Sequence, residues 1–207
     1  ARGPVNRLTA EMIRDNALFA SELLKNKIGG KSVKPYQPVG LWEINNTTYK
    51  PDSTDEVYRR SLYMVIKRSV PHPTLVTFDG PSRSVCTNRR QKTNTPLQAL
   101  VTLNDPAFVE ASKVLGEKMA SEKDEKTALI MAYRKLTGLL PNNKEIQLLT
   151  ALFNKEYLKF KQFPQKTKGW LSAGFYKINE NLDPNLVAAN TVVANVIMNS
   201  DACLMKR

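Results

Sequence analysis

Apolar residues recur at helical spacing along much of the chain. In LTAEMIRDNALFASELLKN, Ile13, Ala17, Ala20 and Leu24 fall on one helix face. Thr9 is placed to cap that helix, and Glu11 lies in the first turn, where the helix dipole favours an acid. Gly29 and Gly30 then close it, so the pattern predicts about four to five turns. Farther on, Thr95-Pro96 and Asp105-Pro106 each set a capping residue before a proline at the first helical position. They open a short helix, PLQALVTL, and a longer one, PAFVEASKVLGEKMASE, with Phe108, Ala111, Leu115 and Met119 on one face. DEKTALIMAYRKLTG follows, with Gly138 as its stop. KEIQLLTALFNKEYLKFKQF aligns Ile146, Leu149, Phe153 and Tyr157. Asp183-Pro184 opens NLVAANTVVANVIMNS, apolar on nearly every side, and such a helix belongs in the middle of a bundle.

Between the first helix and Thr95 this order is lost. KSVKPYQPVGLWEINNTTYKPDSTDE reads as a long proline-rich loop whose Tyr36, Trp42 and Tyr49 suit packing onto the body. EVYRRSLYMVIKRSV, residues 56–70, fits two elements. Alternation in SLYMVIK favours a short strand, while Tyr58, Leu62, Val65 and Ile66 would line a helix of two to three turns. PHPTLVTFDGPSRSV reads as an extended, proline-bounded connection with a turn at Asp79-Gly80-Pro81, and KTKGWLSAGFYKINEN as an irregular surface excursion. The expectation is a mainly α fold: a multi-helix bundle with a long proline-rich loop region toward the N-terminus and at most a short β element. A chain of 207 residues, 42% hydrophobic, suits a single domain over residues 1–207 with one good-sized core. No apolar run is long enough to span a membrane. The opening ARGPVNRLTAEMIRD has neither an initiator Met nor an apolar leader, as expected of the C-terminal part of a longer protein or of a mature chain.

Charge changes the picture. The net charge is +12, and residues 59–92 alone hold eight Lys or Arg against one acid, Asp79. An excess this local needs a local explanation. Arg59, Arg60, Lys67, Arg68, Arg83, Arg89, Arg90 and Lys92 are interleaved there with Tyr63 and Phe78. Arginine predominates, the residue whose planar fork suits bidentate and interface pairing. Three uses fit: tying loops down through carbonyls and carboxylates, forming an interdomain face, or binding a polyanion. Nucleic acid would ask for a basic helix or a stacking platform facing one way, and these arginines are scattered over loops.

Catalysis finds little support. His72 is the only histidine, held between two prolines in VPHPT, with no nucleophile motif near it. No GxGxxG, GxxxxGK[ST] or GxSxG occurs. Cys86 and Cys203 lie far apart without CxxC or CxxCH spacing; they read as free thiols, with a long-range disulfide as the alternative. One histidine and two separated thiols build no recognisable metal site, so no metal or cofactor is expected in this chain.

SVKPYQPVGLWE, then YRRSLYMVIKRSVPHPTLVTFDGPSRSVCTNRRQKTNTPLQALVTLNDPAFVEAS, resembles the C-terminal planctomycete surface domain of planctomycete-type cytochrome c multidomain proteins, a domain of unknown function. The likeness runs from about residue 6 to the C-terminus and is densest over residues 8–112. It implies a domain closing a long extracytoplasmic protein, at the periplasm or cell surface. A companion domain and, in many members, a c-type cytochrome would lie upstream. Any haem c would belong there, because no CxxCH occurs here. The family supplies no catalytic residues to carry across. Under this resemblance nucleic acid recedes as a partner, and the basic segment becomes a natural docking face for the upstream domains. The candidate binding residues are Trp42, Arg59, Arg60, Arg68, His72, Arg83, Arg89, Arg90 and Lys92. Two other readings stay open. The same residues would line an active site shared with the companion domain, acting on a redox or carbohydrate substrate. Or they would bind an anionic polysaccharide, with Trp42 and nearby tyrosines stacking on it. Arginines satisfied by internal carbonyls would mark scaffolding, and arginines fanned around a cleft with Trp42 would mark a ligand site.

Overall fold

The computed structural model describes residues 5–42 and 47–206. The described chain folds as a mainly α bundle of nine α-helices, two 3-10 turns and one two-stranded sheet. The helices are α1 (Ala10–Ala20), α2 (Pro73–Thr77), α3 (Pro96–Asn104), α4 (Pro106–Ala120), α5 (Glu125–Thr137), α6 (Asn143–Gln162), α7 (Pro164–Leu171), α8 (Pro184–Met198) and α9 (Asp201–Leu204). Strands β1 (Asn6–Arg7) and β2 (Met205–Lys206) pair antiparallel, Asn6 opposite Lys206 and Arg7 opposite Met205.

α8 is the apolar axis, as its all-round pattern predicts. Val187, Ala188, Ala189, Val193 and Ala194 are wholly buried, and α4 packs along it with Ala111 and Leu115 equally enclosed. The two helices approach so closely that a Cβ on Gly116 would stand 2.6 Å from the Thr191 backbone nitrogen. Asn195, buried in α8, donates to Thr102 O at 3.1 Å and Ser112 Oγ at 3.3 Å, which binds α3 and α4 to the axis. The expected cap at Asp105 holds, and Gly138 ends α5 at φ 72°; Asp124 and Asn142 likewise cap α5 and α6 through backbone amides.

Four segments depart from the pattern. α1 stops after three turns rather than four or five, because Ser21 turns its hydroxyl onto Ala17 O and Glu22 takes φ 66°. There Lys118 and Lys135 both grip its carboxylate, which pulls the Glu22 pKa down to about 2. Residues 56–70 are neither a strand nor an α-helix but hold two 3-10 turns, Asp55–Tyr58 and Ser61–Tyr63, with isolated bridges pairing Arg59 with Lys25, Met64 with Val33 and Lys67 with Val70. Two carbonyls and a hydroxyl of this stretch accept from Arg14, which is buried in α1. Its guanidinium donates to Val57 O at 2.7 Å, Arg59 O at 3.0 Å and Ser61 Oγ at 3.2 Å. The stretch expected to be extended after His72 contains α2, opened by Pro73 at its first position, the same device that opens α3. Finally, the first half of the supposed excursion near Trp170 is α7, and only residues beyond it are irregular.

Candidate functional site

The basic residues divide into those that hold the chain together and those that face outward. Arg59 is 1% exposed. It donates to Lys31 O at 2.7 Å, Lys27 O at 3.0 Å and Gly29 O, and stacks 3.8 Å from the Tyr63 ring centroid. It is a strut that gathers residues 27–31. Arg60 reaches Asp15, Nε to Oδ2 at 3.5 Å, from an exposed position. Arg90 forks onto Glu11 at 2.7 and 3.0 Å. Burial works to raise the Glu11 pKa, and the Arg90 fork with local hydrogen bonds overrides it, holding the carboxyl below its ordinary value. Lys92 Nζ donates to Asn6 Oδ1 at 2.8 Å.

Arg68, Arg83 and Arg89 are different. Each is exposed, and none has a hydrogen-bond, ion-pair or ring partner among the described residues. Arg83 and Arg89 stand on a loop of residues 80–94 that carries four basic side chains and no acid. Its neck is stapled: Thr93 donates from its backbone and hydroxyl to the Asp79 carboxylate at 2.7–3.0 Å. Wholly buried Gln98 locks the staple, donating to Thr93 Oγ1 at 3.0 Å and to Thr77 O at 2.9 Å. Within the loop Arg83 holds φ 58°, Val85 is 73% exposed and the free Cys86 faces solvent, whereas Cys203 is buried. Beside the loop's end, α3 leaves Leu97 and Leu100 more than half exposed.

Trp42 and His72 do not join this loop. Trp42 is half-buried against Tyr49, centroids 4.8 Å apart, with the Lys67 ammonium 4.5 Å over its ring. His72 is buried, with Nε2 3.0 Å from Tyr36 O and no partner at Nδ1. Burial lowers its pKa below the usual imidazole value; the Tyr36 contact and Asp105 oppose this, and Arg14 adds to it. The surface hollows around Arg83 and Arg89 are lined by residues 81–93, without Trp42 or His72. Arg14, the most consequential basic residue near segment 56–64, gave no sequence signal beyond its place next to Ile13 on α1.

A second cluster lies on α4. Glu110, Lys113 and Glu117 are all buried, at 5%, 1% and 8% exposure. Glu110 Oε1 accepts from Tyr58 Oη at 2.8 Å and from the Phe175 and Tyr176 amides at 2.5 and 2.7 Å. Lys113 Nζ donates to Ala173 O at 2.5 Å and Tyr176 O at 2.6 Å, and Glu117 accepts from the Asn179 amide. Burial lowers the Lys113 pKa, and Glu110 and Glu117 counter it. These three side chains pin the irregular segment after α7. Their i, i+3, i+7 spacing on one face of α4 is the signal that sequence reasoning passed over. Beside Glu110 opens a cavity of about 430 Å³, whose wall includes Arg14, Tyr36, Tyr58, Pro106 and Phe175.

A family model described as PSD1, a protein of unknown function (DUF1553), matches residues 1–153. No curated protein and no solved structure matches the chain.

Proposed function

The chain belongs to the PSD1 family, and on that premise we propose that it is a non-catalytic docking module. It would close an extracytoplasmic, c-type-cytochrome-associated surface protein, seating its basic loop on an acidic face of an upstream domain of the same polypeptide. The observation that carries this reading is the division among the arginines. Arg59 and Arg90 are consumed by carbonyls and Glu11, while Arg83 and Arg89 project unpaired from a loop whose neck is fixed by the Asp79–Thr93 staple. A fixed neck limits the entropy lost when the loop is ordered on a partner, so a cationic tip of this kind favours docking. Val85, Leu97 and Leu100 supply exposed apolar surface next to the charges. Opposite charge across the interface would speed encounter and fix register more than it would add affinity.

The test is calorimetry of this chain with the upstream companion domain. An Arg83→Ala/Arg89→Ala variant should melt like the wild type and bind about tenfold more weakly or worse. Arg90→Ala should instead lower the melting temperature, because it strands Glu11. Raising ionic strength should weaken wild-type binding. Absence of binding by the wild type, or full binding by the double variant, would remove the docking role from this loop.

A further inference from the structure

The cavity beside Glu110 lies apart from the basic loop and shares no residue with it. At about 430 Å³ it falls within the roughly 300–1,000 Å³ of small-molecule sites. Leu18, Pro35, Pro51, Val57 and Val109 make most of its wall apolar. The Arg14 guanidinium in the wall already donates to Val57 O, Arg59 O and Ser61 Oγ. Glu110 is the exception. It is 5% exposed, and its Oε1 takes three hydrogen bonds. Among the described residues its Oε2 accepts none, yet it is not among the fully enclosed polar atoms that lack a partner. One carboxylate oxygen is saturated and holds the group still; the other is open to an incoming donor.

We propose that this cavity binds a small aromatic or alicyclic molecule carrying one neutral hydrogen-bond donor, a hydroxyl or an N–H, which Glu110 Oε2 accepts. The ring belongs among Tyr36, Tyr58, Phe175 and the prolines. A sugar does not suit the site, since several of its hydroxyls would be desolvated against apolar walls without partners. A cationic head does not suit it either, because Arg14 lines the same wall and Lys113 lies close enough to Glu110 to couple to it electrostatically. The Gly174 turn frames the carboxylate: at φ 73° it lets the backbone pass where a Cβ would stand 2.0 Å from Glu110 Cδ.

The probe is 2-naphthol, with 2-methoxynaphthalene as the ring-matched compound that lacks the donor, titrated into the chain by amide NMR and calorimetry. 2-Naphthol should shift the Gly174, Phe175 and Tyr176 amides saturably, and the ether should bind about tenfold more weakly. Ala107→Leu, which fills the cavity from α4 and leaves Glu110 in place, should abolish binding at an unchanged melting temperature; Val109→Phe serves the same end should Ala107→Leu fail to fold. Arg83→Ala/Arg89→Ala should bind 2-naphthol as the wild type does, which separates this site from the docking loop. No saturable shift at residues 174–176, equal affinity for the ether, or undiminished binding by the filled variant overturns the proposal.

Discussion

Arg59 and Arg89 differ in role although both belong to one basic stretch of sequence. Arg59 satisfies the carbonyls of Lys27, Gly29 and Lys31 from a fully buried position. Arg59→Ala would leave all three without their donor inside the protein. The expected loss is about 3 kcal/mol or more in urea unfolding, and Arg59→Lys should recover little, since an ammonium lacks the planar fork. Arg89→Ala should be silent in the same assay, within about 0.5 kcal/mol. His72 gives the pH dependence. Its folded-state pKa lies below the usual 6.5, so the unfolded chain binds the proton more readily. The stability this group contributes is therefore complete above pH 6.5 and is lost as pH falls toward the folded value. The groups named around it, Asp105, Arg14 and the Tyr36 carbonyl, do not reverse that sign. The unfolding free energy measured in urea should fall from pH 7 to pH 5, and His72→Gln should flatten that slope; an unchanged slope would show that His72 titrates normally.

Among the elements, the α4–α8 crossing is the most sensitive point of the bundle. Gly116 is required there not for its backbone freedom but for its lack of a side chain, with Thr191 atoms within 2.9 Å of where a Cβ would be. Gly116→Ala should cost about 2 kcal/mol by forcing the helices apart, and Gly116→Val more, both read from thermal melts. An α-helix gains from the first substitution in isolation, so a stabilised Gly116→Ala would contradict the close approach. This scale was also the most legible in the sequence. Caps at Asp105, Asp124 and Asn142, the stop at Gly138 and the largely apolar run after Asp183-Pro184 are local signals, and α4, α5, α6 and α8 follow them. Legibility failed where distant side chains override local preference. The early end of α1 involves Lys118 and Lys135 closing on Glu22, and residues 56–64 owe their irregular path to Arg14. The candidate sites failed for the same reason. Nothing adjacent in sequence tells Arg59 from Arg89, because the difference is the set of carbonyls brought to Arg59 from residues 27–31. The cavity is harder still: its wall joins α1, the proline-rich loop, α4 and residues 173–175.

For the whole molecule, the positive charge is spread over a body whose helices share a core and one loop whose tip stands clear of it. Trypsin, which cuts after Lys and Arg in accessible backbone, should therefore nick first within residues 80–94, at Arg83 or Arg89. The fragments should stay together and retain the helical circular dichroism of the intact chain, because the loop contributes no helix. First cleavage within α4, at Lys113 or Lys118, would show a looser bundle than this packing implies. The same contrast between loop and body separates the two thiols. Cys86 is exposed on the loop, whereas Cys203 is enclosed beside Asn16, and burial pushes its pKa up to about 12. A maleimide-linked fluorophore added to the native chain therefore goes on at a single place. That place is the tip offered to a partner, so the unengineered protein can report its own docking as a change in colour or anisotropy.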